Sequence, residues 1–108
     1  MEQSKKLLSD ISIAIGFIEE FTIDIKDFNH YIADSKTQNA VERQLVIIVE
    51  ALNKLKKLYP NITIENHTQI IAFRNRLVHA YDSIDHAIVW AILHRNLKNL
   101  KNEIDLLV

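Results

Sequence analysis

The stretch "KTQNAVERQLVIIVEALNKL", residues 36–55, carries a clear helical period in its apolar residues. They recur at steps of three and four, which places them on one face of a helix. Asp34, Ser35 or Thr37 can cap the start of this helix, and Pro60 lies just past its end. The sequence therefore predicts a long helix whose buried face is formed by Val41, Leu45, Ile48, Leu52 and Leu55.

Two further long helices are predicted toward the two ends of the chain. The first runs from about Ser4 to Phe21, and the last from about Ile84 to near the C-terminus, with Asp82 or Ser83 as its cap. The first helix is expected to turn inward Leu7, Leu8, Ile11, Ala14, Ile15, Ile18 and Phe21. The last is expected to turn inward Ile88, Ala91, Ile92, Leu97, Leu100, Ile104 and Leu107.

Between these helices the sequence predicts one more long helix and one short one. The long one begins at Thr63 and runs through residues 73–81. The short one falls within residues 22–33, has Thr22 or Asp24 as its cap, and holds Phe28, Tyr31 and Ile32. The expected fold is all-α: an up-down four-helix bundle with a short extra helix.

The bulk composition limits the classes of protein to which the chain can belong. Its 108 residues, with one glycine and one proline, suit a single helical domain over residues 1–108. The absence of cysteine excludes disulfides and thiolate metal sites. A net charge of −1 gives no bulk affinity for nucleic acid, so any RNA contact must come from a local patch. No signal peptide and no membrane span is recognisable, so a cytoplasmic location is expected.

The stretch "FRNRLVHAY", residues 73–81, places polar side chains among apolar ones. At about 100° per residue, Asn75 and His79 share one side of a helix, and the long side chain of Arg74 can swing toward them. The opposite side carries Phe73, Leu77 and Ala80, which would face the core. The sequence thus predicts an arginine and a histidine close together on one polar face.

An arginine with a histidine, without metal or cysteine, fits cleavage of an RNA phosphodiester by its own 2′-hydroxyl. An imidazole transfers protons near neutral pH, and a guanidinium binds two phosphoryl oxygens. The reaction needs both a base and an acid, whereas this face offers a single histidine, His79. A two-fold homodimer would supply two copies of the motif. On these residues alone, a solvated helix face remains the alternative.

The order of these stretches resembles the HEPN superfamily, whose signature is an arginine, a polar residue, three further residues and a histidine. The tyrosine two positions later makes it similar to the HepT-like branch, the toxins of toxin–antitoxin pairs. Residues 36–55 resemble the second helix of that branch, and residues 81–104 resemble its last helix. With the first helix, the resemblance covers nearly the whole chain.

The resemblance implies a homodimeric, metal-independent ribonuclease that needs no cofactor. Arg74 and His79 match the catalytic pair of the motif, and Asn75 matches its polar position. Tyr81 matches the tyrosine to which a cognate minimal nucleotidyltransferase antitoxin adds AMP, which silences the toxin. Arg76 has no fixed equivalent in the family and is kept as a candidate RNA contact.

Other notable residues are explained by roles that are not catalytic. An ion pair is expected for Arg43, and packing in the core or a dimer interface for Trp90. The basic stretch from His94 to Lys101 is expected to be a solvent-exposed helix face, and an RNA-binding surface is the less favoured interpretation. The alternative function is a non-catalytic dimeric module that binds a nucleotide or a nucleotidyltransferase. The Arg74–His79 pair would then support that contact.

Overall fold

The computed structural model describes residues 2–62, 64 and 85–107. Within these ranges the chain is helical, and no residue there forms a strand. The elements are α1 (Glu2–Thr22), α2 (Phe28–Ile32), α3 (Ser35–Leu58), α4 (His86–Ala91), a π-helical turn (Ile92–Asn96) and α5 (Leu97–Leu107). The all-α fold class is confirmed for this part of the chain.

The predicted third long helix, from Thr63 through residues 73–81, lies outside the described residues except for Ile64, which is not helical. The four-helix arrangement as a whole and the two-fold homodimer therefore stay predictions. In the described ranges, no helix is both long enough and apolar enough to cross a membrane.

Helix α3 forms the centre of the described core, as its periodicity predicts. All five of its predicted inward residues are buried. Asp34 is the N-cap: its carboxylate accepts a hydrogen bond from the backbone N–H of Thr37 at 3.0 Å and one from the hydroxyl of Thr37 at 2.7 Å. These hydrogen bonds, the hydroxyl bond above all, lower the pKa of Asp34. Of the three predicted caps, Asp34 is the one observed. Ser35 and Thr37 lie within the first turn of the helix, whereas Asp34 immediately precedes it.

Helix α1 packs against α3 and places most of its predicted inward residues in the core. Leu8, Ile11, Ala14, Ile15 and Ile18 are buried. The prediction for Phe21 is wrong, since its side chain is 36% exposed. The helical turn rotates Phe21 away from Ile18 toward the outward side of α1. There its ring stacks on Phe17, with centroids 5.9 Å apart.

Helix α2 is short, as predicted, but its cap differs from the prediction. Asp27 accepts a hydrogen bond from the backbone N–H of His30 at 3.0 Å, so Asp27, rather than Thr22 or Asp24, caps the helix. Thr22 instead ends α1, where its hydroxyl donates to the carbonyl of Ile18 at 2.8 Å.

Residues from α2 connect it to α3. Tyr31 is fully buried, whereas Ile32 is 46% exposed. The buried side chain of Gln38 donates to the carbonyl oxygens of Tyr31 at 2.8 Å and Ile32 at 3.1 Å. The carbonyl of Tyr31 also accepts from the backbone N–H of Asp34 at 3.1 Å, so Gln38 adds a second bond there and satisfies the carbonyl of Ile32.

Helix α4, the π-helical turn and α5 follow one another without a break. Asp85 caps α4 by accepting a hydrogen bond from the N–H of Ala87 at 2.9 Å, so the predicted caps Asp82 and Ser83 are replaced. The predicted caps themselves lie outside the described residues. The start at His86 is two residues later than predicted.

The π-helical turn sets which residues of the last helix face inward. The N–H of Leu97 donates to the carbonyl of Ile92, which closes a turn one residue wider than an α-helical one. Ile92 and Leu97 are therefore both buried although they are five positions apart, and the inward face continues through Leu100 and Ile104. Leu107 was predicted to face inward but is 42% exposed, because the helix reaches its last turn there.

Candidate functional site

The predicted site residues lie outside the described residues, so their geometry stays a prediction. They are Arg74, Asn75, Arg76, His79 and Tyr81. The chain is described on both sides of them. Ile62 and Ile64 before the segment, and Ile88 after it, pack against the hydrophobic core. The stretch that carries the motif is thus connected at both ends to packed parts of the fold.

A cluster of ionisable side chains lies beside the start of α4. It brings together Tyr31 of α2, Glu42 of α3 and His86 of α4; we call it the Tyr31–Glu42–His86 cluster. The rings of Tyr31 and His86 meet edge to face, with centroids 6.2 Å apart and an angle of 75° between their planes. His86 follows the candidate residue Tyr81 by five positions in the chain.

Two buried polar atoms of the Tyr31–Glu42–His86 cluster have no hydrogen-bond partner among the described residues. They are the hydroxyl oxygen of Tyr31 and Nδ1 of His86. Leaving a buried polar atom unpaired costs about 1–3 kcal/mol.

Burial dominates the electrostatics of this cluster. It raises the pKa of the Tyr31 hydroxyl, and the negative charge of Glu42 raises that pKa further. Burial also raises the pKa of Glu42, while a positive charge on His86 acts in the opposite direction.

Trp90 continues the cluster through ring contacts with Tyr31 and His94. Its ring centroid lies 5.3 Å from that of Tyr31 and 4.1 Å from that of His94. Nδ1 of His94 is 2.9 Å from the carbonyl oxygen of Trp90, which fixes the imidazole over the indole ring. Trp90 is half-buried and packs against the core, so its predicted packing role is confirmed.

Sequence reasoning missed the Tyr31–Glu42–His86 cluster. Neither Glu42 nor His86 is among the candidate residues that the sequence patterns single out. Arg43 itself is exposed and forms no ion pair within residues 2–62, 64 and 85–107. A polar residue one position from the fully buried Val41 is the signal that could have pointed to Glu42.

The basic stretch of the last helix faces solvent, as expected. His94, Arg95 and Lys98 are exposed. Lys101 lies 3.2 Å from the carboxylate of Glu19, which joins α5 to α1. A groove of about 570 Å³ runs beside this pair, lined in part by Lys98 and Leu97. In the part of the chain that the structure describes, no group of three or more His, Asp and Glu side chains could hold a metal ion.

The Glu42→Gln variant is expected to unfold at a higher temperature than the wild type at pH 7 and above. Because burial raises the pKa of folded Glu42, its stabilising contribution is complete below the ordinary value of 4.5 and is lost as the pH rises through the raised value. Glutamine stays uncharged and keeps that contribution. Thermal unfolding followed by circular dichroism from pH 4 to pH 8 measures the difference, which we expect to reach a few degrees.

Glu50→Gln is the matched control, since Glu50 is an exposed glutamate on the same helix. Its unfolding temperature should follow that of the wild type across the pH series. A Glu42→Gln variant whose advantage is the same at pH 4 and pH 8 would contradict the assignment of a half-buried carboxyl group with a raised pKa.

Comparison with known proteins points to one family. The family model described as "Ribonuclease HepT-like" matches residues 11–107. A Thermococcus cleftensis protein named "Probable ribonuclease HepT" is 37% identical over 105 residues, which is 94% of this chain and 92% of the relative. A Methanocaldococcus jannaschii protein named "Putative RNase MJ1380" is 32% identical over 106 residues, which is 94% of each chain. No solved structure matches this chain.

Proposed function

Because this chain belongs to the HepT-like ribonuclease family, we propose that it is an RNA endonuclease that works without a metal ion. The observation that carries the proposal is the family match over residues 11–107, which contains the whole Arg74–His79 motif. We also propose that the chain is a single domain that acts in the cytoplasm as the toxin of a toxin–antitoxin pair.

The proposed reaction uses the nucleophile that RNA already contains. The 2′-oxygen attacks the neighbouring phosphorus, the bond from phosphorus to the 5′-oxygen breaks, and the products are a 2′,3′-cyclic phosphate and a free 5′-hydroxyl. His79 moves the protons, because an imidazole changes charge near neutral pH. Arg74 stabilises the negative charge that grows on the phosphoryl oxygens. Asn75 orients the phosphate or the imidazole, and Arg76 adds a contact to RNA.

A two-fold homodimer completes this site in the proposal. One proton must leave the 2′-hydroxyl while another reaches the departing 5′-oxygen, and one histidine cannot serve as base and acid at the same moment. Two-fold symmetry brings the same surface of each subunit to the interface. Two copies of His79 across one cleft would then take the two roles.

Tyr81 is the proposed point of control. A cognate minimal nucleotidyltransferase, the antitoxin, would transfer AMP from ATP to the hydroxyl of Tyr81 and release pyrophosphate. The added group carries bulk and a negative charge two residues from His79. It would therefore exclude RNA by occlusion and by repulsion of the phosphate backbone.

Expression of the chain alone in bacteria tests the proposal. Growth arrest and fragmented total RNA are expected for the wild type, and normal growth with intact RNA for the His79→Ala variant. Equal growth and intact RNA in both cultures, with Tyr81 free of AMP by mass spectrometry, would contradict the ribonuclease. The non-catalytic module that binds a nucleotide or a nucleotidyltransferase would then be favoured.

The Tyr81→Phe variant separates control from catalysis. It lacks the hydroxyl that accepts AMP, so we expect it to stay toxic when the nucleotidyltransferase is expressed beside it, whereas the wild type becomes harmless. Growth rates of the four cultures measure this, and mass spectrometry of the intact chain reads the mass of AMP directly. If the nucleotidyltransferase also silences the Tyr81→Phe variant, Tyr81 is not the residue through which the toxin is controlled.

A further inference from the structure

The outward side of α1 carries a row of apolar side chains that are not buried within the chain. Ile13 is 55% exposed, Phe17 43% and Phe21 36%. They follow at steps of four residues, so they share one side of the helix, and the rings of Phe17 and Phe21 stack. A continuous apolar patch of this kind marks an interaction surface more often than scattered exposed residues do.

Gly16 lies beside this row and has no explanation within the chain. It is the sole glycine of the sequence, and it stands in the middle of a long helix, where glycine weakens the helix relative to alanine. Its φ is not positive, and a Cβ atom added there would meet nothing within 4 Å. A second helix that approaches α1 closely at this point would account for it, because glycine lets backbones come near each other.

The charges of α1 are arranged symmetrically about Ile13. Lys6 lies seven residues before Ile13 and Glu20 seven residues after it, and this spacing keeps all three on one side of a helix. Both charged side chains are exposed. Neither forms an ion pair among the described residues, whereas the neighbouring Glu19 is paired with Lys101. The outward side of α1 therefore has a basic end, an apolar centre with the half-buried Asp10 at its edge, and an acidic end.

Such a surface is complementary to itself. If two copies of α1 lie antiparallel with Ile13 on the two-fold axis, each Lys6 faces the partner subunit's Glu20, and the contact occurs twice. Gly16 then lies within one residue's rise of the partner subunit's Ser9, so two small side chains allow the helices to approach. A partner of another kind would have no reason to match this symmetry.

We propose that a second copy of this chain docks antiparallel on the outer face of α1, formed by Lys6, Ile13, Gly16, Phe17, Glu20 and Phe21. The inference rests on the homodimer of the proposed function and says which surface forms it. The apolar centre supplies the burial, and the two Lys6–Glu20 pairs fix the register and the antiparallel direction.

Reversal of the two charges tests the register. The dissociation constant of the full chain's dimer is measured by sedimentation equilibrium for Lys6→Glu, Glu20→Lys and the variant that carries both. Each single change places like charges together at both ends, so we expect the constant to rise about tenfold or more. The double variant restores both pairs and should return to within about threefold of the wild type.

Two further variants set the limits of the experiment. Ile13→Glu places two negative charges at the two-fold axis and should give a monomer at every concentration tested. Lys56→Glu changes an exposed lysine on α3 and should leave the dissociation constant unchanged. Circular dichroism confirms that each variant is folded.

The outcomes separate this inference from the ribonuclease. A monomeric wild type, or a dimer that survives Ile13→Glu and both charge reversals, overturns the α1 interface. If RNA cleavage by the wild type is present in that second case, the proposed function stands with a different interface. If the charge reversals behave as expected while the wild type fails to cleave RNA, the interface stands and the ribonuclease falls.

Discussion

The His79→Ala variant is expected to cleave RNA about 10²–10⁴-fold more slowly than the wild type, which is the usual contribution of a general acid–base. The expectation follows from the proposed reaction, in which His79 is the only group of the motif whose charge changes near neutral pH. Single-turnover cleavage of a synthetic RNA by purified protein measures the rate without interference from product release.

His30→Ala is the control for this experiment. His30 is exposed on α2, where Nδ1 lies 2.6 Å from the carboxylate of Asp27. Its loss should leave the cleavage rate unchanged. Equal rates for His79→Ala and the wild type would remove His79 from the chemistry. An equal loss in both variants would point to a general effect on the fold instead.

The Leu45→Ala variant is expected to lose about 2–5 kcal/mol of unfolding free energy. Leu45 is fully buried in α3, so truncation removes its apolar contacts and leaves a cavity in the core. Proteins of this size are stabilised by only about 5–15 kcal/mol, so the loss is a large part of the total. Urea unfolding at one fixed protein concentration measures it and keeps any effect of dimerisation constant.

Leu106→Ala is the matched control, since Leu106 is 87% exposed in α5. The same atoms are removed there from a side chain that contacts mainly water, so the change should stay within about 0.5 kcal/mol. A Leu45→Ala variant as stable as Leu106→Ala would contradict the burial of Leu45 in a packed core.

Helix α3 could be predicted almost completely because its signals are local. Its apolar positions repeat regularly, and its cap, Asp34, stands directly before its first turn. The predictions of buried residues were wrong near the ends of helices. Phe21 and Leu107 continue apolar patterns, but both stand in the last turns of their helices and are partly exposed.

The π-helical turn shows why the last helix was harder to predict. A regular period places Ile88 and Ala91 inward, whereas the wider turn at Ile92–Asn96 makes Val89 buried and leaves those two half-buried. The five-residue step from Ile92 to Leu97 is the signal of the wider turn in the sequence. Its hydrogen bonds depend on packing around the helix, which the pattern alone does not contain.

The ribonuclease family could be recognised from the sequence because its motif is a short run of residues. Arg74 to Tyr81 supply the whole signature within one predicted helix. The Tyr31–Glu42–His86 cluster could not be recognised, because its members come from three helices and meet only after folding. Its raised pKa values arise from burial, and burial is a property of the packed chain.

The most direct test of the ribonuclease is cleavage of a defined RNA by the purified chain in excess EDTA, with the new ends identified by mass spectrometry. The account predicts that cleavage continues in EDTA and leaves a 2′,3′-cyclic phosphate and a 5′-hydroxyl, because the 2′-oxygen is the nucleophile. Cleavage that stops in EDTA, or that leaves a 3′-hydroxyl and a 5′-phosphate, would contradict it.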